Sequence, residues 1–259
     1  MTYPASVNSA GTPVMRRFRL TFSKGEPVRY ISHLDLMRTW ERILRRAGLK
    51  LAHSQGFNPR PRLVFAAPLS VGVTSDAEIV DVVVEDELTA DEILARVRPA
   101  LPPGIELRGA VETPLDAPAV MGNVLAADYV VDLASATSLQ DRLAEFLARD
   151  SAPYERIRKG VSKQSDMRPA VLNLWAPVPL PLQRERLGEG TPTTSSIGMS
   201  LRLDVEGASV RPEEVVAALD PSWQIVRVHR TALHLKDAPG TLTQPSPAAA
   251  GEDGGRHAA

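Results

Sequence analysis

The sequence predicts an α+β fold built as two tandem ferredoxin-like (βαββαβ) units with disordered termini. Three observations carry this prediction. Short stretches of alternating apolar residues interchange with stretches whose apolar residues recur at helical spacing. The order strand, helix, strands, helix, strand is read twice along the chain, with two strands between the helices in the first round and three in the second. A proline-bearing break, Pro114–Pro118, separates the two rounds. The expected boundaries are therefore residues 15–113 and 125–237 for the units, with a linker over 114–124. Residues 1–14 and 238–259 are small, polar and rich in Pro and Gly, and they are expected to be a disordered leader and tail.

Phe18, Leu20 and Phe22 alternate with Arg19 and Thr21, as in a strand with one buried face. Ser32 with Asp35 three residues on reads as a capping box in its Asp form. Leu36, Trp40, Ile43, Leu44 and Ala47 follow as the buried stripe of a helix, and Gly48 supplies its stop. Strands are expected at 63–65 and 79–84, a helix over 90–100 and a strand over 105–111. In the second round, strands are expected at 129–133, 154–159, 171–175, 200–205 and 225–235. Helices are expected at 138–149 and 212–219, the latter with Pro212 in its first turn. Pro177–Thr194 reads as a long hairpin loop.

Composition narrows the chemistry. The chain has 259 residues, long for one core and comfortable for two, and 43% are hydrophobic. Aromatics are only 5%, so the cores must be made mainly of Val, Leu, Ile and Ala. There is no cysteine. That excludes disulfides, thiolate zinc sites, cysteine nucleophiles and cysteine-ligated iron–sulfur clusters. No apolar run fits a signal peptide or a membrane span, so a cytoplasmic location without membrane contact is expected.

Charge is segregated. Residues 16–62 carry 12 Lys/Arg against 3 Asp/Glu, whereas residues 76–116 carry 11 acids against 3 Arg. The basic stretch would attract a nucleic acid or an acidic partner, unless the two stretches simply pair within one fold.

Within RYISHLDLMRTWERILRRAGLKLAHSQGFNPRPRLVFAAPLSVGVTSDAE three pieces stand out. They are Ser32-His33-Leu34-Asp35, Ser54-Gln55-Gly56-Phe57-Asn58-Pro59, and Pro68-Leu69 through Val71-Gly72-Val73. A fourth is Arg158-Lys159-Gly160 with Lys163 and Asp166-Met167-Arg168-Pro169. With these pieces, residues 16–236 closely resemble the radical SAM-linked protein family. That is a bacterial domain of unknown function found beside, or fused to, radical S-adenosylmethionine proteins. The resemblance implies a separate radical SAM enzyme as partner. A radical SAM enzyme holds its cluster with three cysteines, so this chain cannot itself be the radical catalyst.

The candidate binding residues are cationic or lie in one loop. Arg38, Arg42, Arg45 and Arg46 recur at helical spacing opposite the apolar stripe, a surface suited to phosphates, and Arg16, Arg17 and Arg19 could extend it. The plain alternative is a solvated helix face. In the loop 54–62, Ser54, Gln55 and Asn58 offer hydrogen bonds, Arg60 and Arg62 offer forked cationic donors, and Phe57 can stack on a base. Its alternative is a structured connection whose polar groups satisfy the backbone. Lys159, Lys163 and Arg168 form a second basic group, or else a solvent-facing hairpin. His33, at a helix start, is the one weak catalytic candidate, as a general base in RNA cleavage; a structural role is the alternative. No metal set, phosphate loop or cofactor motif is present, and His229 and His234 should face opposite sides of a strand. The expected function is thus a non-catalytic accessory protein that binds RNA or an RNA–protein substrate. A protein-only docking module and a metal-independent ribonuclease using His33 are its rivals.

Overall fold

The computed structural model of the chain describes residues 14–158, 161–177, 195–203 and 210–236. The expected leader (1–14) and the expected loop (177–194), each but for one residue, and the whole expected tail (238–259) lie outside them. The fold is mixed α+β, with a large, mostly antiparallel sheet and, among the described residues, four α-helices.

The strands of the first half are β1 (Arg16–Lys24), β2 (Leu63–Phe65), β3 (Val73–Val84) and β4 (Ile105–Thr113), with helices α1 (His33–Arg46) and α2 (Ala90–Val97). Those of the second half are β5 (Val124–Leu133), β6 (Pro153–Arg158), β7 (Val161–Asp166), β8 (Val171–Trp175), β9 (Ser195–Arg202) and β10 (Ile225–Leu235). Its helices are α3 (Leu139–Leu147) and α4 (Pro212–Leu219).

The two halves share one sheet. Its order is β4-β1-β3-β10-β5-β9-β8, with β2 also paired to β3. The join is asymmetric. One edge of β3 gives residues 80–82 to β2, antiparallel, and residues 73–75 to β10, parallel. Because β2 is only three residues long, it leaves the first part of that edge open, and β10 takes it. Two cores result. Phe18, Leu20, Phe22, Val80, Val82 and Val84 pack with Leu36, Trp40, Ile43 and Leu44 of α1. Tyr129, Val131, Leu133, Ile197, Met199 and Leu201 pack with α3 and α4, and Val73 and Leu69 enter this second core from the first half.

Local chemistry explains the helix ends. Ser32 Oγ accepts from the Asp35 amide at 3.1 Å, but the Asp35 carboxylate bonds back to the Ser32 hydroxyl. The longer Glu92 of α2 does reach the N-cap amide, that of Thr89, at 2.8 Å. This is the difference between an Asp and a Glu capping arrangement. Gly48, at φ +74°, ends α1 in the left-handed region that favours glycine. Pro99 forces α2 into a 3-10 turn over Arg98–Ala100, short of the helix expected to 100.

Several strands depart from the expected pattern: β3 begins at Val73 rather than 79 and β5 at Val124 rather than 129. β7, with the polar sequence VSKQSD, pairs with β6 as a separate hairpin. β9 begins at Ser195 rather than 200, and within it the indole of Trp175 lies directly over Gly198, where any side chain would stand. No helix among the described residues is long and apolar enough to cross a membrane.

Candidate functional site

The arginines of the basic stretch separate into committed and uncommitted groups. Arg17 and Arg19 both pair with buried Asp81, and Arg17 also donates to the carbonyls of Ala117 and Pro118. Arg16 pairs with Glu112 and Glu87. Asp81, Glu87 and Glu112 belong to the acidic stretch, so the β1 arginines are neutralised by it and do not extend a basic surface. Arg46 donates to the Ala100 carbonyl and fastens α1 to the end of α2. Arg38 makes a long contact with Asp35 at 3.4 Å. Arg42 reaches only the Thr39 hydroxyl, at 3.2 Å. Arg42 and Arg45 are exposed, and neither is paired with a carboxylate among the described residues.

The loop after α1 is a projecting hairpin. Arg62 N donates to Ala52 O and Ser54 N to Arg60 O, each at 2.8 Å, while Arg60 N donates to Ser54 Oγ at 3.1 Å. Ser54 therefore serves the turn itself. The base of the hairpin is anchored to β3, with Ala52 N bonding Val83 O and Val83 N bonding Arg62 O. Gln55, Gly56, Phe57, Asn58 and Pro59 form the tip, and every one is exposed. Phe57 is 106% exposed, a full aromatic ring held in solvent. Arg60 and Arg62 are exposed on the return strand, unpaired with any carboxylate among the described residues.

Of the second basic group, only Arg168 has a described side chain. Lys159 lies outside the described residues, and Lys163 is placed only as the backbone partner of Arg156 in the β6–β7 hairpin. Arg168 turns inward. Its guanidinium donates to the carbonyls of Leu147, Arg149 and Val171 at 3.1, 3.0 and 2.8 Å. It caps the C-terminal end of α3, where unpaired carbonyls and the helix dipole favour a cation. Asp166 accepts from the amides of Ala152 and Arg168, which holds its carboxyl below the usual range.

His33 sits at the first turn of α1 with its ring edge-on to Phe65, centroids 5.4 Å apart. Its Nδ1 is buried and has no hydrogen-bond partner. Burial lowers its pKa, opposed by Glu78 and assisted by Arg230. His229 bonds Thr74 and Asp76, and His234 bonds Asp128, so each is held by separate partners.

Nearby lies a set of charges that sequence reasoning missed. Lys24, Glu78 and Arg230 are each at most 2% exposed. Arg230 donates to Glu78 at 3.0 Å, to the hydroxyl of Tyr129 through Nε and a terminal nitrogen, and to the Pro68 carbonyl. Lys24 donates to the carbonyls of Arg29 and Val73, and Arg29 donates to that of Gly72. Cations from three separate segments thus grip carbonyls of a single loop, 68–73. Burial pushes the Lys24 ammonium below its usual value; Glu78 opposes this, and Arg230 and Arg29 add to it. A signal was present in the sequence: each charge continues the apolar face of its strand. Lys24 follows Phe18, Leu20 and Phe22, Glu78 precedes Val80, Val82 and Val84, and Arg230 follows Val228.

Loop 68–73 also borders a cavity of about 590 Å³ at the seam between the halves. Apolar walls come from Leu69, Val73, Val124, Leu203 and Val210, and Arg230 and Tyr129 lie on its lining. No group of three or more potential metal ligands occurs among the described residues.

Two solved structures are similar over most of the chain, at low similarity. A protein of unknown function from Galdieria sulphuraria is 12% identical, with 84% of this chain and 99% of that chain covered and a TM-score of 0.25. A proposed glycine cleavage system transcriptional repressor is also 12% identical, with 83% and 96% covered and a TM-score of 0.21. Among curated proteins, none matches this chain. A family model matches residues 17–220, from β1 through α4, and the chain therefore belongs to the family of uncharacterized proteins conserved in bacteria, DUF2344.

Proposed function

We propose that this protein is a non-catalytic accessory factor that binds RNA, or an RNA–protein substrate, for a separate radical SAM enzyme in the cytoplasm. Its scaffold is read as two ferredoxin-like units fused edge to edge. The contact surface is the 52–62 hairpin with the exposed arginines of α1. One observation carries the reading: Phe57 stands fully in solvent at the tip of a hairpin whose base is bonded into β3. An exposed phenyl ring gains nothing for folding, whereas base stacking on an aromatic ring contributes about 1–3 kcal/mol per base. Arg60 and Arg62 beside it are unpaired donors for phosphate. The radical SAM partner rests on the sequence resemblance, and the lack of cysteine fits a companion that presents a substrate rather than a radical catalyst.

The test is RNA binding by the purified chain across a salt series. Binding that weakens steeply with salt, and is lost when Arg38, Arg42, Arg60 and Arg62 are changed to Gln, supports the reading. Equal binding by both proteins sinks it.

One observation favours a protein-only docking surface as the second reading. Arg29 bonds the carbonyls of both Gly72 and Val226 and lies over the Tyr30 ring, and Tyr30, Val226 and Val71, the neighbour of Gly72 in the chain, are all exposed. Recovery of the radical SAM enzyme after nuclease treatment, with no RNA bound, would select it.

A further inference from the structure

The seam cavity is independent of the hairpin and has the composition of a small-molecule site. Its volume, about 590 Å³, falls within the usual range for ligand pockets. Most of its wall is aliphatic, and three of its four charged side chains are cationic. Arg230, Arg211 and Lys236 line it, against a single carboxylate, Glu213. Glu78, below the wall, already balances Arg230 at 3.0 Å. The cavity is left with one surplus positive charge.

The hydrogen bonds point the same way. The Tyr129 oxygen accepts twice from Arg230, at 3.2 and 3.1 Å, so its own proton is directed elsewhere. No acceptor for that proton is found among the described residues. Two bonds from a guanidinium polarise the O–H and strengthen it as a donor. Arg230 itself is immobile, bonded also to Glu78 and the Pro68 carbonyl. Loop 68–73 beside it is fixed by Lys24 and Arg29. Donor and wall are therefore set before any ligand arrives, which lowers the entropic cost of binding.

We propose that this cavity binds a small monocarboxylate with an apolar body. Its carboxylate accepts from the Tyr129 hydroxyl and lies toward Arg211 and Lys236, and its hydrocarbon part rests against Leu69, Val124, Leu203 and Val210. A multiply charged phosphate ester would exceed the single surplus charge, and an amine would meet it unfavourably.

The experiment titrates the full chain with octanoate, octanol and octylamine by calorimetry. Octanoate is expected to bind at one site, at least tenfold more tightly than either of the others. Tyr129→Phe is expected to weaken octanoate roughly ten- to hundredfold, the loss of one hydrogen bond to a charged group. A variant with Arg211→Gln and Lys236→Gln alters only exposed side chains and should weaken it several-fold; it carries the test alone if Tyr129→Phe unfolds. Phe57→Ala should leave octanoate binding unchanged, which separates this site from the RNA reading. Octanol binding as tightly as octanoate, no saturable octanoate binding, or full octanoate affinity in either cavity variant overturns the proposal.

Discussion

Arg230 of β10 donates to Glu78 of β3 at 3.0 Å, with the two side chains 3% and 2% exposed. This pair spans the one parallel join among the described strands, three residue pairs long, through which the two halves of the chain are continuous. So short a ladder contributes little alone. The buried clasp beside it, with Tyr129 and Pro68 as further acceptors, fixes the register at which β10 meets β3.

Breaking that clasp from one side should therefore be costly. Glu78→Gln leaves Arg230 and Lys24 buried without their common counter-ion, and a loss of about 3–5 kcal/mol is expected in urea unfolding. Glu78→Leu combined with Arg230→Met removes the pair together and should recover part of that loss. A Glu78→Gln protein within about 1 kcal/mol of the parent would show that the seam is held by other contacts.

His33 makes stability depend on pH in a distinct window. Its native pKa is lowered below the ordinary 6.5 by burial, so the neutral form is favoured in the fold. The stabilisation is full above 6.5 and is lost as the pH falls through the depressed native value. Asp35, Glu92 and Asp166 also have lowered native values, from ordinary ones of 3.8, 4.5 and 3.8, so their losses occur in more acid solution. His33→Phe keeps a ring against Phe65 and cannot titrate. Its denaturant midpoint should stay flat between about pH 7 and pH 5 while that of the parent falls. Parallel curves would place the acid sensitivity elsewhere.

Arg168 should behave as a structural residue. Arg168→Ala exposes the carbonyls of Leu147, Arg149 and Val171, and a cost of about 1–3 kcal/mol is expected. Arg168→Lys should restore only part, since an ammonium cannot reproduce the planar fork. RNA binding by either variant, measured below its unfolding range, should match the parent. Unchanged stability with weakened RNA binding would return Arg168 to the binding surface.

What the sequence revealed follows from which patterns are local. α1 was legible because Leu36, Trp40, Ile43 and Leu44 recur on one face and Ser32 and Gly48 bound them. α4 was legible from Pro212, and the hairpin from the turn-forming residues between Ser54 and Arg62. β7 was hidden because VSKQSD is polar and, among the described strands, pairs with β6 alone. The β3–β10 join was hidden for another reason. Glu78 and Arg230 are 152 residues apart, and neither strand advertises which edge the short β2 leaves free. The fate of the arginines was likewise a matter of tertiary partners. Arg19 and Arg42 are alike in sequence, but Asp81 lies beside one and only Thr39 beside the other.

Phe57 offers the sharpest separation of binding from folding. Its ring is 106% exposed and lies at the tip of the hairpin, so Phe57→Ala removes no packing and should leave the unfolding midpoint unchanged. If the ring stacks on RNA, the same change should weaken single-stranded RNA binding by about 1–3 kcal/mol at every salt concentration, leaving the salt slope intact. Arg60→Gln with Arg62→Gln should do the reverse and flatten the slope by about 0.7 for each phosphate that is no longer neutralised. Phe57→Trp preserves a stacking surface and should bind as well as the parent or better. Fluorescence anisotropy with a labelled single strand measures all four proteins. A Phe57→Ala protein that binds RNA normally but no longer retains the radical SAM enzyme would assign the hairpin tip to protein docking.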